Sequence, residues 1–336
     1  MNLARRALST LTPSLSSTAT RWSYGGILDL EQLTPDLYRT SDLDSLWHPP
    51  GSKGVYGGQV IGQALVAAQA SLEEPEEATH PKHSLHSLHA YFLKPGNASL
   101  PLIFSISRLL DGKSFKSRAV TISQDGIPVA HLQASFHVPE PSPLNFQATM
   151  PDVPGPDGLP SLRDLVDAAD AHPDVPPQTV AYLKQNIDQP FPLQVRYVGL
   201  DPEVAIRPLM APPKEIPPMP PRQMVWMRAR GDIGDDLHLH HTIAAWLSDW
   251  GLATTPLLAA GLRIYSPQLS MITSLDHAMW FHNPFSANEW MLYEMESDFA
   301  GGARGVTTGR IFDQDGQLIV STVQEGLIRI RAPKRA

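Results

Sequence analysis

Residues 274–290 read SLDHAMWFHNPFSANEW, apolar and aromatic at the centre and punctuated by polar groups. A weaker copy of the first half of this stretch lies far upstream at residues 87–95, SLHAYFLKP. Each copy is followed by the same kind of hairpin, over residues 117–137 and 303–329. Both hairpins turn at Gln-Asp-Gly, once at Gln124-Asp125-Gly126 and once at Gln314-Asp315-Gly316. Asp-Gly between apolar runs is a strong hairpin signal. The separation, close to 190 residues, is too long for a solenoid repeat and suits two copies of one domain. The reading is a duplicated α+β fold whose chemistry sits in the second copy.

The 336 residues suffice for two domains, and the 42% hydrophobic content is compatible with two cores. A net charge of −8, with no basic run beyond the first thirty residues except a few charges at the end, argues against nucleic acid as a partner, since phosphate neutralisation supplies most of that affinity. The absence of cysteine excludes disulfides, cysteine-ligated metal and a thiol nucleophile. No run approaches the 18 apolar residues of a membrane span. Residues 1–26 carry Arg5, Arg6 and Arg21 among many Ser, Thr, Leu and Ala, before the first acidic residue, Asp29. Such a segment resembles a mitochondrial transit peptide; a plain disordered terminus is the alternative.

In the first domain, residues 27–138, Gly57-Gly58 opens a helix to about Leu72, with Val60, Ile61, Ala64, Leu65 and Ala68 at helical spacing. Strand patterns follow over 84–93, 102–110, 118–123 and 128–138. One helix followed by long antiparallel strands fits α+β better than alternating βαβ units. Of the 33 prolines, 20 lie between Pro139 and Pro221. Residues 139–189 therefore read as an extended linker with short, proline-interrupted helices. The second domain, 190–331, opens with a strand over 193–198. A proline-rich insertion over 202–221 precedes a strand at 223–229. A helix is predicted over 239–253, and Ser274 is read as the start of the central strand.

Asp249 is the first candidate for chemistry. It falls in the apolar half of the second helix, beside Trp246 and Trp250. A carboxylate there is costly unless hydrogen-bonded, and burial lifts its pKa toward the range of a general base. The bland alternative is an exposed aspartate at a helix end. Ser274 and Gln324 are its natural partners; Val320, Thr322 and Gln324 share one face of the last strand. A buried neutral amide can hold water without competing for its proton. Lys113, Lys116 and Arg118 cluster in DGKSFKSR, where they would meet phosphates or simply decorate a solvated hairpin. Arg304 stands among Gly301, Gly302 and Gly305, which suit close approach of a ligand or a bulge. His80, His83, His86 and His89 recur at a spacing that suits neither a helical nor a strand metal site, so no metal is expected. His277 and His282 read as structural hydrogen-bonders. There is no G-x-S-x-G elbow, P-loop or dinucleotide fingerprint.

GGQVIGQAL (57–65), HAYFLKPG (89–96), LSDWG (247–251), SLDHAMWFHNPFSANEW (274–290) and STVQEG (321–326) together resemble the acyl-CoA thioesterase II family over roughly residues 28–329. The resemblance implies a double hotdog fold, each domain a long helix wrapped by a curved antiparallel sheet. It implies hydrolysis of medium- or long-chain fatty acyl-CoA to free acid and CoA, without a cofactor. By motif, the family's water-positioning Asp, hydroxyl residue and Gln fall on Asp249, Ser274 and Gln324; many bacterial members have Thr at the Ser274 position. Backbone N–H groups at Gly58 and Gln59 would polarise the thioester oxygen. The alternatives are a hotdog enoyl-CoA hydratase and a non-catalytic acyl-CoA-binding protein. A homo-oligomer is expected from the same resemblance. The mitochondrial matrix is the expected compartment, with the peroxisomal matrix as alternative; the chain ends Lys334-Arg335-Ala336 rather than in a Ser-Lys-Leu-like address.

Overall fold

The structure, a computed structural model, describes residues 26–48, 54–72, 82–187 and 193–331. The arginine- and serine-rich start through residue 25 and the last five residues lie outside the described residues, so the transit-peptide and C-terminal address readings do too.

The first half contains β1 (Leu30–Thr34), β2 (Leu37–Thr40), α1 (Gly57–Ala70), β3 (Ser84–Phe92), β4 (Ile103–Asp111), β5 (Phe115–Gln124) and β6 (Ile127–His137). Between the halves lie α2 (Leu162–Ala171) and α3 (Pro177–Ile187). The second half contains β7 (Leu193–Tyr197), α4 (Pro202–Ile206), β8 (Arg222–Ala229), α5 (Leu237–Ser248), β9 (Leu269–Ser274), β10 (Asp276–Phe281), β11 (Met291–Gly301), β12 (Arg304–Phe312) and β13 (Leu318–Ile330).

The strands form one continuous sheet in the order β1-β2-β4-β5-β6-β3-β10-β13-β12-β11-β8-β7, with β9 added beside β13. Read from its centre the order is the same in both directions. The first half ends in β6-β3 and the second begins β10-β13, so each domain repeats the other across the antiparallel β3–β10 pair, where His89 faces Ala278. This is the double hotdog architecture.

Each domain wraps its sheet around one helix. In α1, Val60, Ile61, Ala64, Leu65 and Ala68 are buried, but so are Gln59, Gln63 and Gln69. A helix apolar nearly all round is a core helix, and its buried amides are all bonded. Gln59 donates to the carbonyls of Ile27 and Ser45 (3.1 and 2.8 Å) and accepts from the Trp47 N–H (2.7 Å). In α5, Asp236 caps the start by accepting from the His238 N–H (2.9 Å). The two helices lie side by side and antiparallel. Gln69, near the end of α1, donates to the His238 carbonyl at the start of α5 (3.2 Å), and Gly58 meets its far end. A Cβ on Gly58 would stand 2.2 Å from the Trp246 carbonyl oxygen, so only glycine permits this approach.

Two sequence expectations change. The second helix stops at Ser248, not Ala253, because Gly251 takes a left-handed conformation (φ 89°) and a 3₁₀ segment follows over Leu252–Ala260. Ser274 does not start the central strand. It ends β9, and β10 begins after Leu275, whose N–H bonds Glu325 and whose carbonyl accepts from Phe92. The proline-rich insertion, whose conformation the sequence left open, carries a short helix: Asp201 caps α4, and Ile206 and Met210 pack with Ala169, Val175 and Val180 into a satellite core. The two Gln-Asp-Gly turns also differ. The first is a two-residue turn with Asp125 and Gly126 at φ 49° and 74°, while the second sits in a longer loop with Gly316 at φ 82°.

Candidate active site

Because α5 ends at Ser248, Asp249 is its C-cap and its side chain projects into the junction with α1. One carboxylate oxygen, Oδ2, accepts from the Gly58 N–H (3.0 Å) at the start of α1. The other, Oδ1, accepts from the Ser274 hydroxyl (3.2 Å), which β9 delivers. The Gln324 amide nitrogen, from β13, donates to Ser274 Oγ (2.9 Å). Three elements distant in sequence thus supply a carboxylate, a hydroxyl and an amide in one hydrogen-bonded chain. Gln324 is buried on the face shared with Val320 and Thr322.

Burial raises the Asp249 pKa from 3.8 to about 6, while the bonds from Gly58, Ser274 and Gln324 pull it partly back. Around it lie groups that sequence inspection did not single out for the site. The Tyr56 hydroxyl is buried without a hydrogen-bond partner, and burial, together with the nearby Asp249 charge, pushes it well above the usual phenol range. Tyr293 donates to the Ser248 carbonyl (2.7 Å), and burial raises it as well. His277, fully buried, lies behind Gln324 with Nδ1 2.6 Å from Gln324 Oε1. The signal for Tyr56 was its place just before Gly57-Gly58; nothing local marks its orphaned hydroxyl.

The expected substrate-binding residues fare differently. Gly58 is at the site, but its N–H is committed to Asp249 and that of Gln59 to the Tyr56 carbonyl (3.1 Å), so neither is a free donor for a thioester oxygen. The Gln59 side chain is buried and saturated by backbone partners. Arg118 is 1% exposed and spends its donors on Ser71, Leu110, Ser117 and Asp111. Lys116 donates to the Leu72 carbonyl (2.7 Å). Both cations therefore secure the C-terminal end of α1, where positive charge suits the dipole, roughly 20 Å along the helix from Asp249. The phosphate reading gives way to a structural one for Arg118. Lys113 is exposed. Arg304, 52% exposed, pairs with Glu325 (3.2 Å), next to Gln324. Among the described residues no three His, Asp or Glu gather to hold a metal, and no helix is long and apolar enough to cross a membrane.

Between α1 and the first-half sheet, Val60, Ile61, Ala90, Phe92, Ile122 and Leu132 line a closely packed, largely apolar seam with no room for a water molecule. A Cβ on Gly57 would stand 2.7 Å from Asp249 Oδ2 and 3.0 Å from the Phe92 ring.

Two hotdog domains in one sheet, with a carboxylate, a hydroxyl and an amide where their helices meet, define a class: a double-hotdog protein with a candidate site between its two helices. Residues 43–137 match the acyl-CoA thioesterase N-terminal domain family, and residues 161–328 match its C-terminal domain family. The chain belongs to the acyl-CoA thioesterase family. It is 39% identical over 309 residues to human acyl-coenzyme A thioesterase 8, covering 91% of this chain and 88% of that one. It is 33% identical over 303 residues to acyl-CoA thioesterase 2 of Haemophilus influenzae, covering 90% and 96%. The crystal structure of an acyl-CoA thioesterase II from Mycobacterium marinum superposes with a TM-score of 0.66 at 33% identity, covering 93% of this chain and 98% of that one.

Proposed function

We propose that the protein hydrolyses medium- or long-chain fatty acyl-CoA, with Asp249 activating water that Ser274 and Gln324 hold in place. The observation that carries this reading is the unbroken bond chain Gln324–Ser274–Asp249 ending on a carboxylate whose pKa is about 6. At neutral pH that carboxylate is ionised yet basic enough to accept a proton. The water oxygen attacks the thioester carbon as its proton passes to Asp249, and the C–S bond then breaks. The leaving thiol, with a pKa of roughly 8.5, departs without strong acid assistance and takes a proton from Asp249 or solvent. The apolar residues packed between α1 and the first-half sheet, beginning at Phe92 beside Gly57, support an acyl substrate, whose chain would have to part them to run along α1. Among the cations named above, Lys113 and Arg304 keep exposed side chains for a role toward the CoA phosphates.

Asp249→Asn tests the reading directly. CoA thiol release from a ladder of acyl-CoA lengths should fall by a factor of about 10³ or more with the fold intact, as loss of a general base implies. Near-normal turnover in that variant would sink it, and thiol release by the unaltered protein separates hydrolysis from hydration or mere binding. For the compartment, the mitochondrial matrix is the reading and the peroxisomal matrix the alternative; fractionation of cells making the untagged chain decides between them.

A further inference from the structure

The water-holding role assigned to Gln324 depends on which way round its amide sits. Its nitrogen must face Ser274, because Ser274 gives its single hydrogen to Asp249 and needs a donor in return. Oxygen and nitrogen of a glutamine amide are nearly equal in size, so shape alone does not choose between them. The neighbour on the other side of the amide does. That neighbour is His277, on β10, whose Nδ1 lies 2.6 Å from Gln324 Oε1 and whose Nε2 lies 2.8 Å from Ser248 Oγ. The ring is 0% exposed. Neither the family motif nor the proposed reaction assigns it a task.

We propose that His277 is a positioning residue: its Nδ1–H holds the oxygen of the Gln324 amide, turning the nitrogen toward Ser274, so that every donor in the chain points at Asp249. The inference rests on the proposed hydrolytic role of that carboxylate, but its hydrogen-bond order can be checked without any substrate.

A neutral imidazole has one N–H and one bare nitrogen. With the hydrogen on Nδ1, the Ser248 hydroxyl donates to Nε2, Nδ1–H donates to Gln324, Gln324 donates to Ser274, and Ser274 donates to Asp249. Four donors in series then face one negative charge, an arrangement a carboxylate favours. With the hydrogen on Nε2, Ser248 would turn its own hydrogen to the Ala245 carbonyl, 2.8 Å away. The amide would reverse to donate to the bare Nδ1, and its oxygen would compete with Asp249 for the Ser274 hydrogen. The carboxylate would lose a donor that stabilises its charge. Burial lowers the His277 pKa to about 4, so the ring is neutral wherever Asp249 is ionised. The other titratable groups facing Asp249 are Tyr56, before α1, and Tyr293, on β11; both phenols are raised and stay neutral in the same range.

The first test is nitrogen NMR of ¹⁵N-histidine-labelled full-length protein at pH 8, with the His277 signals assigned by their loss in His277→Asn. A hydrogen on Nδ1 and a bare Nε2 is expected; the opposite tautomer overturns the proposal whether or not the protein cleaves thioesters. The second test is kinetic. His277→Leu should lower kcat up to about 100-fold with KM little changed, and should move the acid limb of kcat/KM to higher pH, since Asp249 loses support for its charge. His277→Asn, whose amide nitrogen replaces Nδ1–H, should restore the limb and most of kcat. In a Gln324→Leu background, His277→Leu should cost nothing further. An unmoved acid limb, or the same loss in both backgrounds, marks a purely structural histidine and overturns the proposal. If the leucine variant does not fold, the asparagine variant and the tautomer decide.

Discussion

Asp249 carries a pKa of about 6 in the folded protein against 3.8 as a free side chain, because burial outweighs the hydrogen bonding that stabilises its charge. The folded state therefore holds this proton more tightly than the unfolded chain does. Its contribution to stability is complete below about pH 3.8 and is lost as the pH rises through 6. The displacement is worth on the order of 3 kcal/mol. Asp249→Asn should accordingly be more stable than the natural protein at pH 8 by about 2–3 kcal/mol, with the gap closing near pH 4. Urea unfolding at the two pH values checks this; an equal gap at both would mean the carboxylate is not strained by burial. In the active protein the same group predicts that kcat/KM climbs as the pH passes 6. Arg118 yields a prediction of the opposite kind. Removing its buried guanidinium strands the carbonyls of Ser71 and Leu110, so Arg118→Ala should cost about 3 kcal/mol of stability. The KM for acyl-CoA should hold, and a raised KM at unchanged stability would return Arg118 to phosphate binding. The grouping of Asp249, Ser274 and Gln324 was legible in sequence because motif and residue chemistry agree on it. His277 was legible only as a hydrogen-bonder. Its partners, Ser248 and Gln324, lie 29 and 47 residues away, and nothing local names them.

At the scale of elements, the strands and α1 were readable because their period and turn residues are local properties. The end of α5 and the break at Leu275 were not, since both depend on tertiary partners. The apolar stripe of α5 continues past Ser248, yet Gly251 turns the chain where Met295 and Gln223 stand against it. That early stop brings Asp249 to the α1 junction. Two adjacent glycines there should answer differently to the same substitution. A methyl on Gly58 meets backbone, the Trp246 carbonyl oxygen at 2.2 Å, so the helices must part. Gly58→Ala should cost about 1–3 kcal/mol or more and lengthen the bond to Asp249, lowering both melting temperature and kcat. A methyl on Gly57 meets side chains, Asp249 Oδ2 at 2.7 Å and Phe92 at 3.0 Å. Gly57→Ala should lower kcat with a smaller loss of stability. Thermal melts and thiol release on the pair test the contrast; equal stability losses would show that the two helices have slack.

For the whole molecule, the long proline-rich connection follows from the sheet order. β6 and β7 are consecutive strands in the chain, yet seven strand spacings separate them in the sheet, about 34 Å if the sheet were flat. The chain crosses the second domain as an extended segment pinned by Gln147, which bonds Gly316 and Leu318, and by the Trp226 indole on the Pro154 carbonyl. Proline suits it because it keeps such a segment extended at little entropic cost. The two halves meet through β3 and β10 and through α1 and α5, and the candidate site draws on both. Asp249, Ser274 and Gln324 lie in the second half, whereas the Gly58 donor and Phe92 lie in the first. Either half alone would bare a central strand edge and one face of a core helix, a template for self-pairing. Residues 1–138 and 139–336 made separately should each self-associate, eluting above the mass of a single half. The first should release no thiol, and the second should release far less than the intact chain. Mixing them should rebuild the β3–β10 pair and recover activity. A second half that works alone at full rate, as a monomer, would mean that the junction with α1 contributes nothing to the chemistry.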